Sequence, residues 1–308
     1  MSIAPDSARQ PSPEAQAASG AAMAPTRPLY WSVRRELWEH RSITVAPLAV
    51  AGVVLLGFVI GLSHRLRGVS ALDPAQQHAA INTPYDVAAF LFIATSFIVS
   101  ALYCLDALHG ERRDRSILFW KSLPVSDLTT VLSKASIPLV VLPLLVFLLM
   151  LATHLVMLPL SSLILRAKGV SPAALWAQLP LFRMWLALLY CLTVIALWHA
   201  PVFAWLLLLS AWARRAAFLW AVLPPLGVAV FDRIAFNSWH VAALLKYRLV
   251  GWFTQAFVPP PKDGVPVDPL MLLDPLKFLG TADLWIGLAL AALFLAAAVR
   301  LRRHRQPI

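Results

Sequence analysis

From residue 43 onward the chain alternates long apolar runs with short charged breaks. A helix that crosses the hydrocarbon core of a bilayer needs roughly 20 apolar residues. Six segments meet that length, at about 43–62, 87–108, 137–160, 184–212, 216–236 and 278–299. The first is uncharged from Ser42 to Ser63, and the third sits in an uncharged stretch between Lys134 and Arg166. Asp106 lies near the end of the second run and Asp283 near one end of the sixth, while Asp232 and Arg233 close the fifth. Pro201 marks a bend in the fourth. The uncharged cores of the last two, 216–231 and 284–299, span 16 residues each.

Residues 28–41 show a different pattern. On a helical wheel Tyr30, Trp31, Val33, Leu37 and Trp38 share one arc, and Ser32, Arg35, Glu36, Glu39 and His40 share the opposite one. This predicts an amphipathic helix lying in the membrane interface, with Pro28 in its first turn. Arg34 and Arg41 fall on the apolar side, where they would snorkel to headgroups. A simple helical extension of the first span is the alternative. Residues 1–27, rich in Pro, Ala, Ser and Gln with no apolar run, predict a disordered tail and not a signal peptide. Met23 is as acceptable a start as Met1. The external segment 237–279 predicts a re-entrant or interfacial helix around Trp239, Leu244, Leu245, Trp252 and Phe253, then a proline-stiffened loop.

Composition sharpens this picture. Of 308 residues 60% are hydrophobic and 13% charged, and mean hydropathy is +0.73. A soluble domain carries about 25% charged residues, so the fold class is an all-α integral membrane protein with six spans. The net charge is 26 − 15 = +11. Such a balance raises nucleic acid as a partner, but the basic residues occupy the breaks between apolar runs. With the N-terminus cytoplasmic, 16 Lys and Arg face inside and 10 outside, in keeping with the positive-inside rule. Both termini are then cytoplasmic, as an even number of spans requires. The excess of Arg over Lys, 20 to 6, points to a GC-rich bacterial genome and a bacterial inner membrane. Cys104 and Cys191 sit inside apolar runs and read as inert thiols, with no disulfide framework.

Little chemistry is written in the motifs. There is no GxxxxGK[ST], no HExxH and no GxSxG, so the chain has no phosphate loop of its own. Asp106 reads as an interfacial cap. His154 and His199 are ionisable groups inside spans and therefore functional candidates. Each lacks a second ligand at helical spacing, which favours hydrogen bonding between helices over a haem, a metal or a proton relay. No catalytic residue, cofactor or metal ligand is assigned.

The richest stretch is HGERRDRSILFWKSLPVSDLTTVLSK, residues 109–134. The second helix continues past Glu111, with Glu111 and Arg115 at i, i+4 in the favourable order. Ile117, Leu118, Phe119 and Trp120 come next, Pro124 breaks the helix, and Ser126 caps the next one with Asp127 in its first turn. The result is a charged rim around an aromatic knob. It serves either to dock another protein or as a solvated loop whose aromatic residues dip into headgroups.

This stretch resembles the intracellular segment of type-2 ATP-binding-cassette (ABC) transporter permeases. The Glu111-Arg112 start and the Ser122-Leu123-Pro124 step, between the second and third spans, carry the resemblance. It extends from about Leu29 to Arg305 through the amphipathic helix, the six spans and the membrane-dipping segment before the last span. The resemblance implies an exporter-like permease subunit, 42–308, with a cytoplasmic ABC ATPase on a separate chain that binds the ATP. It also implies a homodimer or heterodimer of permease subunits around a central pathway. Coupling to the ATPase would fall to Glu111, Arg112, Arg113, Arg115, Phe119, Trp120, Lys121, Ser122, Leu123 and Pro124. It names no substrate. Two other readings stay open: an integral-membrane enzyme using His154, His199 or Asp106, and a membrane scaffold or assembly factor.

Overall fold

The computed structural model describes residues 26–65, 74–117, 119, 125–167, 180–259 and 268–304. The expected tail, apart from Thr26 and Arg27, lies outside the described residues, as does 260–267 of the proline-rich loop.

Helix α1, Thr26–Glu39, precedes α2, Ser42–Arg65, and the chain breaks between them at His40 and Arg41. Helix α3, Pro74–Asp106, leads into the short α4, His109–Arg113. Helix α5, Asp127–Ser136, runs through a π-helical turn, Ile137–Val141, into α6, Leu142–Ala167. The wide turn has a local cause. Pro138 has no N–H to give the Lys134 carbonyl, which takes its bond from Ile137 instead, and Leu142 N–H then reaches back to the Ile137 carbonyl. Helices α7, Leu181–Trp212, and α8, Ala217–Phe236, come next. Short helices α9, His240–Val250, α10, Trp252–Ala256, and α11, Pro275–Gly280, connect to α12, Ala282–His304.

The described residues form an all-helical multi-pass membrane protein, with six segments long and apolar enough to span. They are Ser42–Gly61, Asn82–Arg113, Asp127–Leu163, Leu181–Trp212, Ala217–Phe236 and Ala282–His304. The sixth begins later and ends later than the apolar pattern implies. Asp274 caps α11 as a separate helix, and Thr281 interrupts the chain before α12 starts. The helix then carries its basic end past the apolar run.

Helix α7 is the most buried span, and it packs against α3, α6 and α12 through Leu188, Leu192, Trp198, Phe203 and Leu207. Lipid tails are as apolar as these side chains, so close van der Waals packing holds the spans together more than the hydrophobic effect does. Helices α2 and α8 leave most of their surface open to lipid. Helix α1, the end of α3 and the end of α12 meet at one end of the bundle, so both ends of the described chain gather there.

Candidate functional site

That meeting point is a buried charge cluster. Lys134, fully buried, donates to both oxygens of Glu36, at 2.8 and 2.9 Å, and lies 3.1 Å from Glu111 Oε1. Arg35 Nη2 donates to Glu36 Oε1 at 2.6 Å and to Glu111 Oε1 at 3.1 Å. Arg302 joins from α12, with Nη1 2.5 Å from Glu111 Oε2 and Nε 3.0 Å from Asp127 Oδ1. Tyr103 closes the inner side, its hydroxyl donating to Glu36 Oε2 at 2.8 Å. Three carboxylates inside the cluster, Glu36, Glu111 and Asp127, thus face three cations, Arg35, Lys134 and Arg302, while the exposed Glu39 reaches Arg35 from the rim at 3.6 Å. The balance is what makes burial tolerable, because an unpaired charge here would cost several kcal/mol.

Local structure delivers each group. Ser126 caps α5 by accepting the Thr129 N–H at 3.0 Å, which starts the helix that carries Asp127 and Lys134. Ser210 Oγ accepts the N–H groups of Leu108 and His109, at 3.0 and 2.8 Å, and so ties the α3–α4 joint to α7. Glu111 then projects into the cluster from the first turn of α4. The polar arc of α1 also faces inward: Ser32 and Glu36 are buried, whereas Trp31 and Trp38 are 54% and 68% exposed.

The electrostatics have clear geometric causes. Burial pushes the Glu36 carboxyl up, but Lys134 and Arg35 outweigh it and hold it at about 2. Burial raises Glu39, which Arg35 only partly offsets. Burial lowers His40 despite the attraction of Glu36. Glu36, Glu39 and His40 stand close enough together to hold a metal ion. On Glu36, however, the ammonium of Lys134 and the guanidinium of Arg35 already occupy the positions a cation would take.

The structure divides the expected coupling residues. Glu111 belongs to the charge cluster. Its expected partner Arg115 lies beyond the end of α4 with φ 59°, so the i, i+4 pair does not form. Arg112 is buried and donates to the carbonyls of Ala211 at 2.7 Å and Ala213 at 3.1 Å, where it caps the end of α7. Neither Glu111 nor Arg112 offers a rim to a partner, because internal acceptors and donors outcompete water for them. Arg113, Arg115 and Phe119 are exposed, and Arg113 pairs with Asp114 at 3.1 Å. Trp120, Lys121, Ser122, Leu123 and Pro124 lie outside the described residues, and with them the expected helix break.

The two intramembrane histidines join helices. His154 Nδ1 accepts from Trp185 Nε1 at 3.3 Å, linking α6 to α7, and its ring meets Tyr85 of α3 edge-on at 5.0 Å. His199 places Nδ1 2.8 Å from the Ile195 carbonyl and Nε2 3.1 Å from the Leu249 carbonyl of α9. Beside it Trp198 Nε1 donates to the Arg248 carbonyl at 2.9 Å, so α7 caps the end of α9 with two side chains. Arg248 lies 4.8 Å above the Trp198 ring and occupies the space that a side chain at Gly287 would need. Asp106 sits beside Gly110, Asp232 accepts from Ser238 and Val241 at the start of α9, and Asp283 accepts from Tyr247 at 2.7 Å. These carboxylates terminate or tether helices.

Sequence reasoning missed Arg35, Glu36, Lys134, Tyr103 and Arg302 as one site. One signal was present: Lys134 is the last cation before a long uncharged stretch, and Glu36 is an acid in a helix otherwise suited to anionic headgroups. No protein-family model matches the chain, and neither a curated protein nor a solved structure matches it.

Proposed function

We propose that this chain is the membrane-spanning permease subunit of an ABC-type, exporter-like transporter that works with an ATPase on a separate chain. It lies in a bacterial inner membrane with both termini cytoplasmic, and two permease subunits flank the pathway. One observation carries the reading: the exposed residues Arg113, Arg115 and Phe119 follow Glu111, which is rooted in a charge cluster that binds α1, α5 and α12. A pull on those residues reaches three helices at once as a rigid-body displacement. Helix α5 passes it to the π turn, where Pro138 and Pro143 interrupt the hydrogen-bond ladder. A small cavity of about 10 Å³, room for about one water, lies beside that turn among Ser96, Ser100, Pro138 and Phe203. Bending there alternates the bundle between inward- and outward-open states.

Helix α1 lies in the membrane interface with Tyr30, Trp31 and Trp38 toward the lipid, which accords with their exposure. The segment α9–α10 dips back into the membrane from outside, which accords with its carbonyls meeting Trp198 and His199 partway along α7.

Docking of the ATPase falls to Phe119, Trp120, Arg113, Arg115 and the residues through Pro124, and coupling to Glu111 and Lys134. The test is reconstitution with the ATPase that co-purifies. Removing Phe119 and Trp120 together, with Arg113 and Arg115 reversed to Glu, is expected to weaken capture of the ATPase and abolish ATP-driven transport. Membrane insertion should persist, since none of these residues belongs to an apolar run. Full coupling in that variant refutes the permease reading.

A further inference from the structure

Adjacent arginines on α1 have opposite fates. Arg35 is consumed by Glu36, Glu39 and Glu111. Arg34, one residue earlier, turns to the aromatic side. Its guanidinium carbon lies 5.2 Å from the Trp31 ring and 4.8 Å from the Trp38 ring, so it is held between two exposed indoles. Other arginines stacked on indoles also satisfy their donors on protein oxygens: Arg233 over Trp239 donates to Asn237, and Arg248 over Trp198 donates to the Asp283 carbonyl. Among the described residues no carboxylate or carbonyl takes a bond from Arg34.

From this arrangement we infer that Trp31, Arg34 and Trp38 form a binding site for the phosphate of an anionic phospholipid. The inference rests on the reading of α1 as an interfacial helix. Stacking spreads over the guanidinium face and leaves its in-plane N–H donors free, and their fork geometry matches two phosphate oxygens. The lipid, not a soluble anion, fits the surroundings. The indoles and Tyr30 present an apolar surface, and the following helix α2 begins with the exposed aliphatic side chains of Val45 and Leu48. An anionic lipid fits better than a zwitterionic one, because Arg34 brings a positive charge with no acid to offset it and a second cation on the headgroup would be repelled. Arg41, exposed two residues after α1, adds to the same positive field.

The experiment uses the full chain, purified in a neutral detergent and exposed to equal amounts of phosphatidylglycerol and phosphatidylcholine. Native mass spectrometry counts the lipid each chain retains. Wild type is expected to hold phosphatidylglycerol preferentially. Arg34→Gln is expected to lose about fivefold in its retention, the factor that corresponds to about 1 kcal/mol for one basic residue near an anionic surface. Arg34→Lys, which keeps the charge and loses the fork, should fall between. Arg303→Gln, an exposed arginine at the end of α12, should match wild type. Equal retention by Arg34→Gln and wild type overturns the site. Displacement of the lipid by millimolar inorganic phosphate overturns the lipid assignment in favour of a soluble anion site. A spin label at Tyr30→Cys in bilayers separates the two levels. Collisions with an aqueous nickel chelate and none with lipid-dissolved oxygen defeat the interfacial reading itself. A lipid-exposed label together with unchanged retention defeats only the phosphate site.

Discussion

Replacing Lys134 by Met would leave Glu36 and Glu111 with only Arg35 and Arg302 around them, and the cluster one negative charge in excess. Lys134 is fully buried and contacts both carboxylates, with its distances to Glu36 at 2.8 and 2.9 Å, so no water takes its place without repacking α5. Breaking a buried pair on one side costs about 3–5 kcal/mol. At 2–4 °C per kcal/mol for a chain of this size, melting should fall by about 10 °C. The second variant decides whether charge balance is the cause. Lys134→Met with Glu36→Gln restores neutrality and should recover a large part of the loss. A straight exchange, Glu36→Lys with Lys134→Glu, should not, because residue 134 would then face Glu111 with like charge. Melting of the purified chain in detergent reads all three. A Lys134→Met protein as stable as wild type, or an exchange that rescues fully, would refute the argument from the cluster.

Acid should destabilise the same region in two steps. His40 has its pKa lowered by burial, so the fold favours its neutral form and loses stability as pH falls below about 6.5, a loss that His40→Gln should remove from the melting curve. Glu36, held at about 2, contributes stability that is full above about 4.5 and is lost as pH drops toward 2, a phase that Glu36→Gln should lack. Gly287→Ala should displace Arg248 and cost about 1–2 kcal/mol, whereas adding Arg248→Ala should restore most of it, as a melting-based double-mutant cycle would show. Single cysteines at Asn237 and Ser116, with Cys104 and Cys191 replaced, should label from outside cells at Asn237 only; the reverse pattern inverts the topology. The purified chain should show no haem band and no stoichiometric transition metal, and a metal lost on His154→Ala or His199→Ala would favour the enzyme reading.

The spans were legible because a 20-residue apolar run has few other uses, and α1 was legible because its two arcs separate cleanly on a wheel. Which arc the protein buries was not. Amphipathicity says only that faces differ, and the polar arc is buried at Glu36 because that residue meets Lys134, 98 residues away. Local spacing offered Arg115 as the partner of Glu111, and the chain turned at Asp114 before that pair could form. Arg112 had the same look as Arg113 in the sequence. Only the packing of α7 against α4 puts two helix-end carbonyls in front of one and leaves the other exposed beside Asp114.

The π turn at Ile137–Val141 has an angular consequence. An α-helix advances about 100° and 1.5 Å per residue, and a single wide turn takes up one residue without advancing the phase of the helix beyond it. Deleting one residue within 137–141 would let α5 and α6 join as continuous α-helix and keep Lys134 in its present angular relation to His154 and Met157, whereas straightening the turn without a deletion would swing Lys134 about 100° around the axis. The deletion leaves every apolar run long enough to span, and membrane insertion unaffected, and it keeps the Lys134 ammonium aimed at Glu36. A one-residue deletion in α6 between the turn and His154, with the turn intact, would instead rotate Lys134 about 100° away from that alignment. The turn thus absorbs one extra residue between the half of the third span that sits in lipid and the half that carries charge, and removal of that one residue is the change it tolerates.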